Sequence, residues 1–155
     1  MKVEKDYEEL LKLFNKNRVK YCIVGAYAVA YYARPRYTKD IDILVKTGAR
    51  NARKIVKALN DFGFKSLKLD VKDFSGENNI IQLGYEPVRV DIITSIGGCS
   101  FEKVWRGKTL GSYGKETVFF IGVNELIKSK RHSKRKHDKE DLAILLLTRK
   151  HKRTR

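Results

Sequence analysis

Asp40 and Asp42 stand two residues apart in the run Asp40-Ile41-Asp42-Ile43-Leu44-Val45. Side chains of a strand alternate between its faces, so the two carboxylates share one face while Ile41, Ile43 and Val45 take the other. Neighbouring carboxylates repel unless a positive charge sits between them. A hard cation such as Mg²⁺ meets that need, because it prefers carboxylate oxygens and commonly shares them with substrate phosphates. A third acid, Asp91, lies within the short apolar run Val88-Arg89-Val90-Asp91-Ile92-Ile93. Burying a lone carboxylate is costly, so an isolated acid there calls for a partner: a metal ion, or more simply Arg89 or Arg106. If the two strands are neighbours, Asp40, Asp42 and Asp91 converge as ligands for two divalent cations roughly 4 Å apart. Such a pair suits activation of a hydroxyl and stabilisation of a leaving pyrophosphate.

The elements that must hold these acids follow from pattern. Lys20–Val24 is apolar almost throughout, as a central strand covered on both faces should be. Gly25 ends it, and Ala26–Ala33 reads as a short helix stopped before Pro35. A glycine between strand and helix lets backbone approach a ligand closely, and the amides of Gly25 and Ala26 are placed to hold phosphate oxygens. Arg34, Arg36 and Lys39 in the next loop add charge contacts. Residues 4–16 predict a helix with Tyr7, Leu10, Leu11 and Phe14 on one face, and Ala49–Phe62 another, with Ala52, Ile55, Leu59 and Phe62 inward and Gly63 as its stop.

Further on, 64–69 reads as a strand and 70–79 as a loop broken at Ser75-Gly76. Ile80–Tyr85 and Val88–Thr94 predict a hairpin joined at Glu86-Pro87. Phe101–Trp105 predicts a helical turn, and Lys108–Leu110 with Thr117–Ile121 a second small hairpin. Asn124–Arg131 and Lys139–Thr148 predict the last helices, leaving 149–155 as a frayed basic tail. The expected architecture is therefore one α/β domain over 1–148: a short mixed β-sheet flanked by helices, with a helical C-terminal extension at 126–148.

Composition narrows the class. The 155 residues suffice for one domain with a real core. The formal net charge is +16, from 34 Lys and Arg against 18 Asp and Glu. Residues 128–155 alone hold 12 Lys and Arg against Asp138, Glu140 and Asp141. That excess favours polyanionic partners: nucleotides, nucleic acid or an acidic protein. No apolar run approaches the ~20 residues of a membrane helix, and the acidic amphipathic N-terminus does not read as a signal peptide, so a cytoplasmic protein is expected. Cys22 and Cys99 are far apart and lack metal spacing; Cys22 in its apolar strand predicts a buried reduced thiol. His132, His137 and His151 lack the spacing of a zinc site. Tyr27, Tyr31, Tyr32 and Tyr37 are expected to pack rather than stack on a base.

Taken together, Gly25-Ala26, the segment 27–39, Asp40-Ile41-Asp42 and the later Asp91 resemble the signature of the minimal nucleotidyltransferases of the DNA polymerase beta superfamily. The loop ARPRYTKDIDILV is similar to the branch that includes abortive-infection-type toxins. Leu126-Ile127-Lys128-Ser129-Lys130, then Arg135, then Asp138-Lys139-Glu140-Asp141-Leu142 matches that branch's C-terminal motif. The chain departs from the pattern at Ala26, where Ser or Gly is frequent, and at His137, where Lys is common.

The resemblance implies transfer of a nucleoside monophosphate from an NTP to an acceptor hydroxyl, with pyrophosphate released. Asp40 and Asp42 would bind both Mg²⁺ ions (Mn²⁺ being a substitute), Asp91 would complete the ion nearer the acceptor, and Lys130 would reach the triphosphate. It implies RNA, with a tRNA end among the candidates, as acceptor, and an antitoxin or toxin partner; a protein or a small molecule such as an aminoglycoside is the alternative acceptor. Asp138 reads either as part of that motif or as the N-cap of the last helix with Asp141 at N3. Asp141 could instead orient Lys130 or Arg135. The competing class is a non-catalytic binding module on the same scaffold.

Overall fold

The structure is a computed structural model that describes the chain except residues 1, 34, 36, 37, 86, 87, 154 and 155, with backbone alone at 152 and 153. Among the described residues, six α-helices, α1 (Lys5–Lys16), α2 (Gly25–Tyr32), α3 (Ala49–Leu59), α4 (Phe101–Arg106), α5 (Val123–His132) and α6 (Lys136–Arg153), accompany six strands: β1 (Tyr21–Val24), β2 (Asp40–Val45), β3 (Ile80–Leu83), β4 (Arg89–Ile93), β5 (Thr109–Tyr113) and β6 (Glu116–Phe120). The strands form one mixed sheet in the order β3-β4-β2-β1-β6-β5. The expected α/β class, with its mixed sheet and flanking helices, is what the chain adopts.

The centre of the sheet explains the apolar runs. β1 pairs antiparallel to β2 and parallel to β6, and all four of its residues are buried. β2 pairs parallel to β4, with Asp40 opposite Arg89 and Asp42 opposite Asp91. The hairpins β3–β4 and β5–β6 are both antiparallel. Helix α1 buries Tyr7, Leu10, Leu11 and Phe14 at the i, i+3, i+4, i+7 spacing of one helical face, and packs against α3 and β6. Helix α3 contributes Ala52, Ile55, Ala58 and Leu59 to the same core. Two hydrogen bonds then tie that core to the acidic strands. The Tyr7 hydroxyl donates to the Arg89 carbonyl at 2.9 Å, and the Arg89 amide donates to the Lys39 carbonyl at 3.2 Å.

Three expected elements differ. The predicted strand at 64–69 is a single 3₁₀ turn, Lys65–Leu67, because Gly63 (φ 121°) and Lys68 (φ 51°) bend the chain out of any extended run. The predicted loop at 70–79 contains a short turn, Val71–Phe74, closed by a reciprocal capping box between Asp70 and Asp73. The last helix begins three residues earlier than predicted and continues through Arg153, so most of the supposed tail is helical. Its basic last turns suit the negative end of the helix dipole, and the Arg149 guanidinium donates to Asn124 of α5 at 3.1 Å. The Glu86-Pro87 connection lies outside the described residues.

The tyrosines pack, as expected. Tyr27 meets Tyr7 and Tyr113 edge-on, and Tyr31 stacks on Phe120 with ring centroids 4.2 Å apart. Tyr32 donates to the Ile121 carbonyl at 2.7 Å. Tyr37 lies outside the described residues. Cys22 is buried and unbridged, and burial pushes its thiol up to about 12, so it is an inert core residue. Among the described residues, no helix is long and apolar enough to cross a membrane.

Candidate active site

The parallel register of β2 and β4 assembles the acids. With Asp42 opposite Asp91 and Asp40 one pleat away on the same face, the three carboxylates offer oxygens that all lie within 4.8 Å of one another. Gly25 sits directly against them. It turns the chain from β1 into α2 at φ 67°, a left-handed conformation that side-chain-bearing residues rarely adopt. A Cβ at this position would fall on Asp42 Oδ2. The glycine therefore both makes the turn and clears the space that the Asp42 carboxylate occupies. Ala26 follows in the first turn of α2, buried.

The electrostatics of this cluster are unequal. Asp42 is pushed up to about 7, first by burial and then by the charges of Asp40 and Asp91; Lys130 and Arg135 pull the other way. Asp91 is also raised, by burial above all, against the opposing pull of Arg89. Arg89, open from sequence only as a simple partner of Asp91, does pair with it and also bridges to Asp40. Its guanidinium reaches Asp40 Oδ2 at 2.7 Å through Nη2 and Asp91 Oδ1 at 3.1 Å through Nε, so one cation bridges two of the three acids. The alternation of β4 does put Arg89 and Asp91 on one face, but only the register with β2 brings Asp40 to the other side of the guanidinium.

A second set of charges faces Asp42 from α5 and α6. A cleft of about 350 Å³ runs from Gly25 and Asp42 to Lys130, Ser133, Arg135 and Asp138, over an apolar floor that includes Ile93 and Leu126. Buried Lys130 donates to Asp138 Oδ1 at 2.7 Å and lies 3.2 Å from Asp141 Oδ2. Asp138 Oδ2 accepts from Ser133 Oγ at 2.5 Å and Arg135 Nε at 3.0 Å. Burial works to raise the Asp138 carboxyl. The hydrogen bonds from Lys130 and Ser133, with the charges of Lys130 and Arg135, outweigh it and hold the group down at about 2. Asp138 is thus not the N-cap of the last helix: α6 starts at Lys136, and this carboxylate in its first turn is turned toward Lys130. Asp141 pairs with Lys130, one of the three roles open to it from sequence, and with α6 starting at Lys136 it is not at N3.

No family model and no curated protein matches the chain. Solved structures do. Over 92% of this chain and 95% of the other, it superposes on the lincosamide antibiotic adenylyltransferase LnuA, solved with lincomycin bound, at a TM-score of 0.54 and 17% identity. Over 90% of this chain and 74% of the other, it superposes on an antigenic nucleotidyltransferase-like protein from Paracoccidioides brasiliensis, at a TM-score of 0.57 and 11% identity. The chain has a nucleotidyltransferase fold. At these identities the likeness is one of fold alone, and the abortive-infection branch suggested by the C-terminal motif has no counterpart among these neighbours.

Within this nucleotidyltransferase fold, the sequence-derived residues fall into three groups. Asp40, Asp42 and Asp91 cluster beside Gly25 and Ala26. Lys130 shares the adjoining cleft with Gly25 and Asp42, but its ammonium is engaged by two carboxylates. Lys39 is exposed just before β2, its carbonyl used by Arg89. Arg34 and Arg36 lie outside the described residues. Arg89 and Ser133 join the site from the structure, and Arg135, the basic residue of the C-terminal motif, lies beside Asp138 in the same cleft.

Proposed function

We propose that the protein transfers a nucleoside monophosphate from an NTP to an acceptor hydroxyl, releasing pyrophosphate. The observation that carries this reading is the meeting of three carboxylates against a glycine turn whose missing Cβ makes room for one of them. The donor set fits divalent cations, because it is all carboxylate oxygen and lacks the sulfur or imidazole that softer metals take. Bound there, Mg²⁺ would polarise the transferred phosphate and neutralise the charge that develops on the leaving group.

Asp40 and Asp42 would hold both ions, and Asp91 would complete the one nearer the acceptor. The acceptor oxygen forms a bond to the α-phosphorus as the bond between that phosphorus and the bridging oxygen to the β-phosphate breaks. The bonding electrons leave with pyrophosphate. Asp91 takes the acceptor's proton; its raised affinity for protons fits that duty. The amides of Gly25 and Ala26 hold the outer phosphates at the start of α2. Lys130, held between Asp138 and Asp141, keeps a fixed positive charge across the cleft from Asp42, and the exposed Arg135 guanidinium can turn toward phosphate.

The net charge of +16 favours RNA as acceptor over a neutral small molecule, through attraction to its phosphates. The lincosamide enzyme among the structural neighbours supports the second reading, a small-molecule hydroxyl. Parallel incubations with α-labelled NTPs, Mg²⁺ and either total RNA or a panel of small hydroxyl compounds, each beside an Asp42→Asn control, test both. Label transferred to RNA by the wild type alone supports the first reading. Label appearing only with small hydroxyl compounds supports the second, and equal labelling by both proteins removes the proposed role of the acids.

A further inference from the structure

Arg89 occupies an odd place for an arginine: its guanidinium lies between two carboxylates that the proposed reaction assigns to cations. Its backbone is fixed from both sides, the amide by Lys39 and the carbonyl by the Tyr7 hydroxyl. Only the side chain is therefore placed to move, and it is half-buried rather than locked in the core. The three acids crowd within 4.8 Å, and the Arg89 bridge joins two of them, Asp40 and Asp91. The guanidinium thus does for Asp40 and Asp91 what a metal ion would do: it cancels their repulsion and satisfies their oxygens.

We infer that Arg89 is a positioning residue that acts as a built-in counter-cation, keeping Asp40 and Asp91 together before a divalent ion arrives and yielding Asp40 Oδ2 when it does. This rests on the proposed use of the three acids as metal ligands. The consequence is specific. A divalent ion entering the cluster meets a resident positive charge, so Arg89 weakens cation binding while stabilising the metal-free fold. A purely structural arginine has the opposite effect on binding, since its loss would loosen the ligands and weaken the ion's hold.

The test uses the full chain and Mn²⁺ alone, without nucleotide. Thermal unfolding and Mn²⁺ titration are run on the wild type, Arg89→Gln, Arg89→Lys and Asp42→Asn. The expected result is that Arg89→Gln unfolds at a lower temperature in EDTA, yet half-saturates at a Mn²⁺ concentration about 5-fold or more below that of the wild type. Arg89→Lys falls between them, because a point charge cannot bridge two carboxylates as a planar fork does; it also preserves the test if the glutamine variant does not fold. Half-saturation unchanged or raised in the folded Arg89 variants, with binding present in the wild type and lost in Asp42→Asn, overturns the inference alone. No Mn²⁺ binding in the wild type or in any folded Arg89 variant overturns both the inference and the metal reading beneath it.

Discussion

Two clefts of nearly equal size make opposite use of charge. The one between Gly25, Asp42 and Lys130 is about 350 Å³, and its charges are matched: Lys130 with Asp138 and Asp141, Arg135 with Asp138. The other, about 370 Å³, lies at the opposite end of β1 and β2 and is lined by Lys20, Lys46, Arg50 and Lys54 with no acid among its lining residues. From residue 43 to residue 60 the chain carries five Lys and Arg and no Asp or Glu. Matched charges in a partly buried cleft fix each other's positions, which is what a site for chemistry requires. Cations without acids remain solvated; they attract polyanions from a distance but aim at no particular atom. The difference separates a place built for reaction from one that only contributes to the protein's field.

That contrast can be broken most sharply at Asp42. Asp42→Asn is expected to reduce nucleotide transfer by about 10²-fold or more, the scale of removing a ligand from a catalytic cation, as read by labelled-NTP incorporation. The same substitution should raise the metal-free melting temperature at pH 8, because it deletes a carboxylate that burial and two like charges disfavour.

Next in size is Lys130→Met. It leaves Asp138 and Asp141 buried with a cation removed, and the loss of a partner from a buried ion pair costs roughly 3–5 kcal/mol. Chemical denaturation should show it as a lower midpoint at an unchanged slope. Gly25→Ala forces a left-handed backbone at about 1–2 kcal/mol and drives a methyl onto Asp42. A fall of several degrees in melting temperature together with lost cation binding is expected.

The pH dependence sharpens the comparison further. Asp42 keeps its proton in the folded protein up to about pH 7, whereas an unfolded Asp loses it near 4. The folded state binds more protons in that window, so this group lowers stability progressively as pH rises from about 4 to 7, and the penalty is complete above it. Asp138 runs the other way. Its stabilisation is full above about pH 4 and is lost as pH falls toward 2. Protons and divalent cations compete for Asp42, so half-saturation by Mn²⁺ should improve as pH rises and level off above 7. Smallest of all, replacing Lys46, Arg50 and Lys54 together by alanine should move stability by under about 0.5 kcal/mol each and leave Mn²⁺ binding unchanged, while flattening the salt dependence of RNA retention.

Much of the fold is legible from periodicity. The i, i+3, i+4, i+7 face of α1 and the alternation of β2 are local patterns, and local sterics decide them. The three acids and the glycine turn were legible for the same reason, with their convergence conditional on strand order. What could not be read was pairing. That Arg89 clamps Asp40 depends on β4 lying beside β2 in one particular register, which no local pattern specifies. That Asp138 serves Lys130 rather than capping a helix depends on where α6 starts, and Lys136 and His137 carry no strong start signal. The predicted strand at 64–69 is absent because Gly63 and Lys68 take positive φ and turn the chain at both ends of the segment, which its apolar residues alone did not disclose.

The parallel alignment of β2 with β4 has a kinetic corollary. Asp40 and Arg89 are neighbours in space but 49 residues apart along the chain, and parallel strands meet only after the long connection between them has closed. A chain that has formed its local hairpins, β3–β4 and β5–β6, still has no acidic cluster. Capture of Mn²⁺ during refolding should therefore lag behind the recovery of helical signal, which would make ion uptake a clock for the last long-range step of assembly.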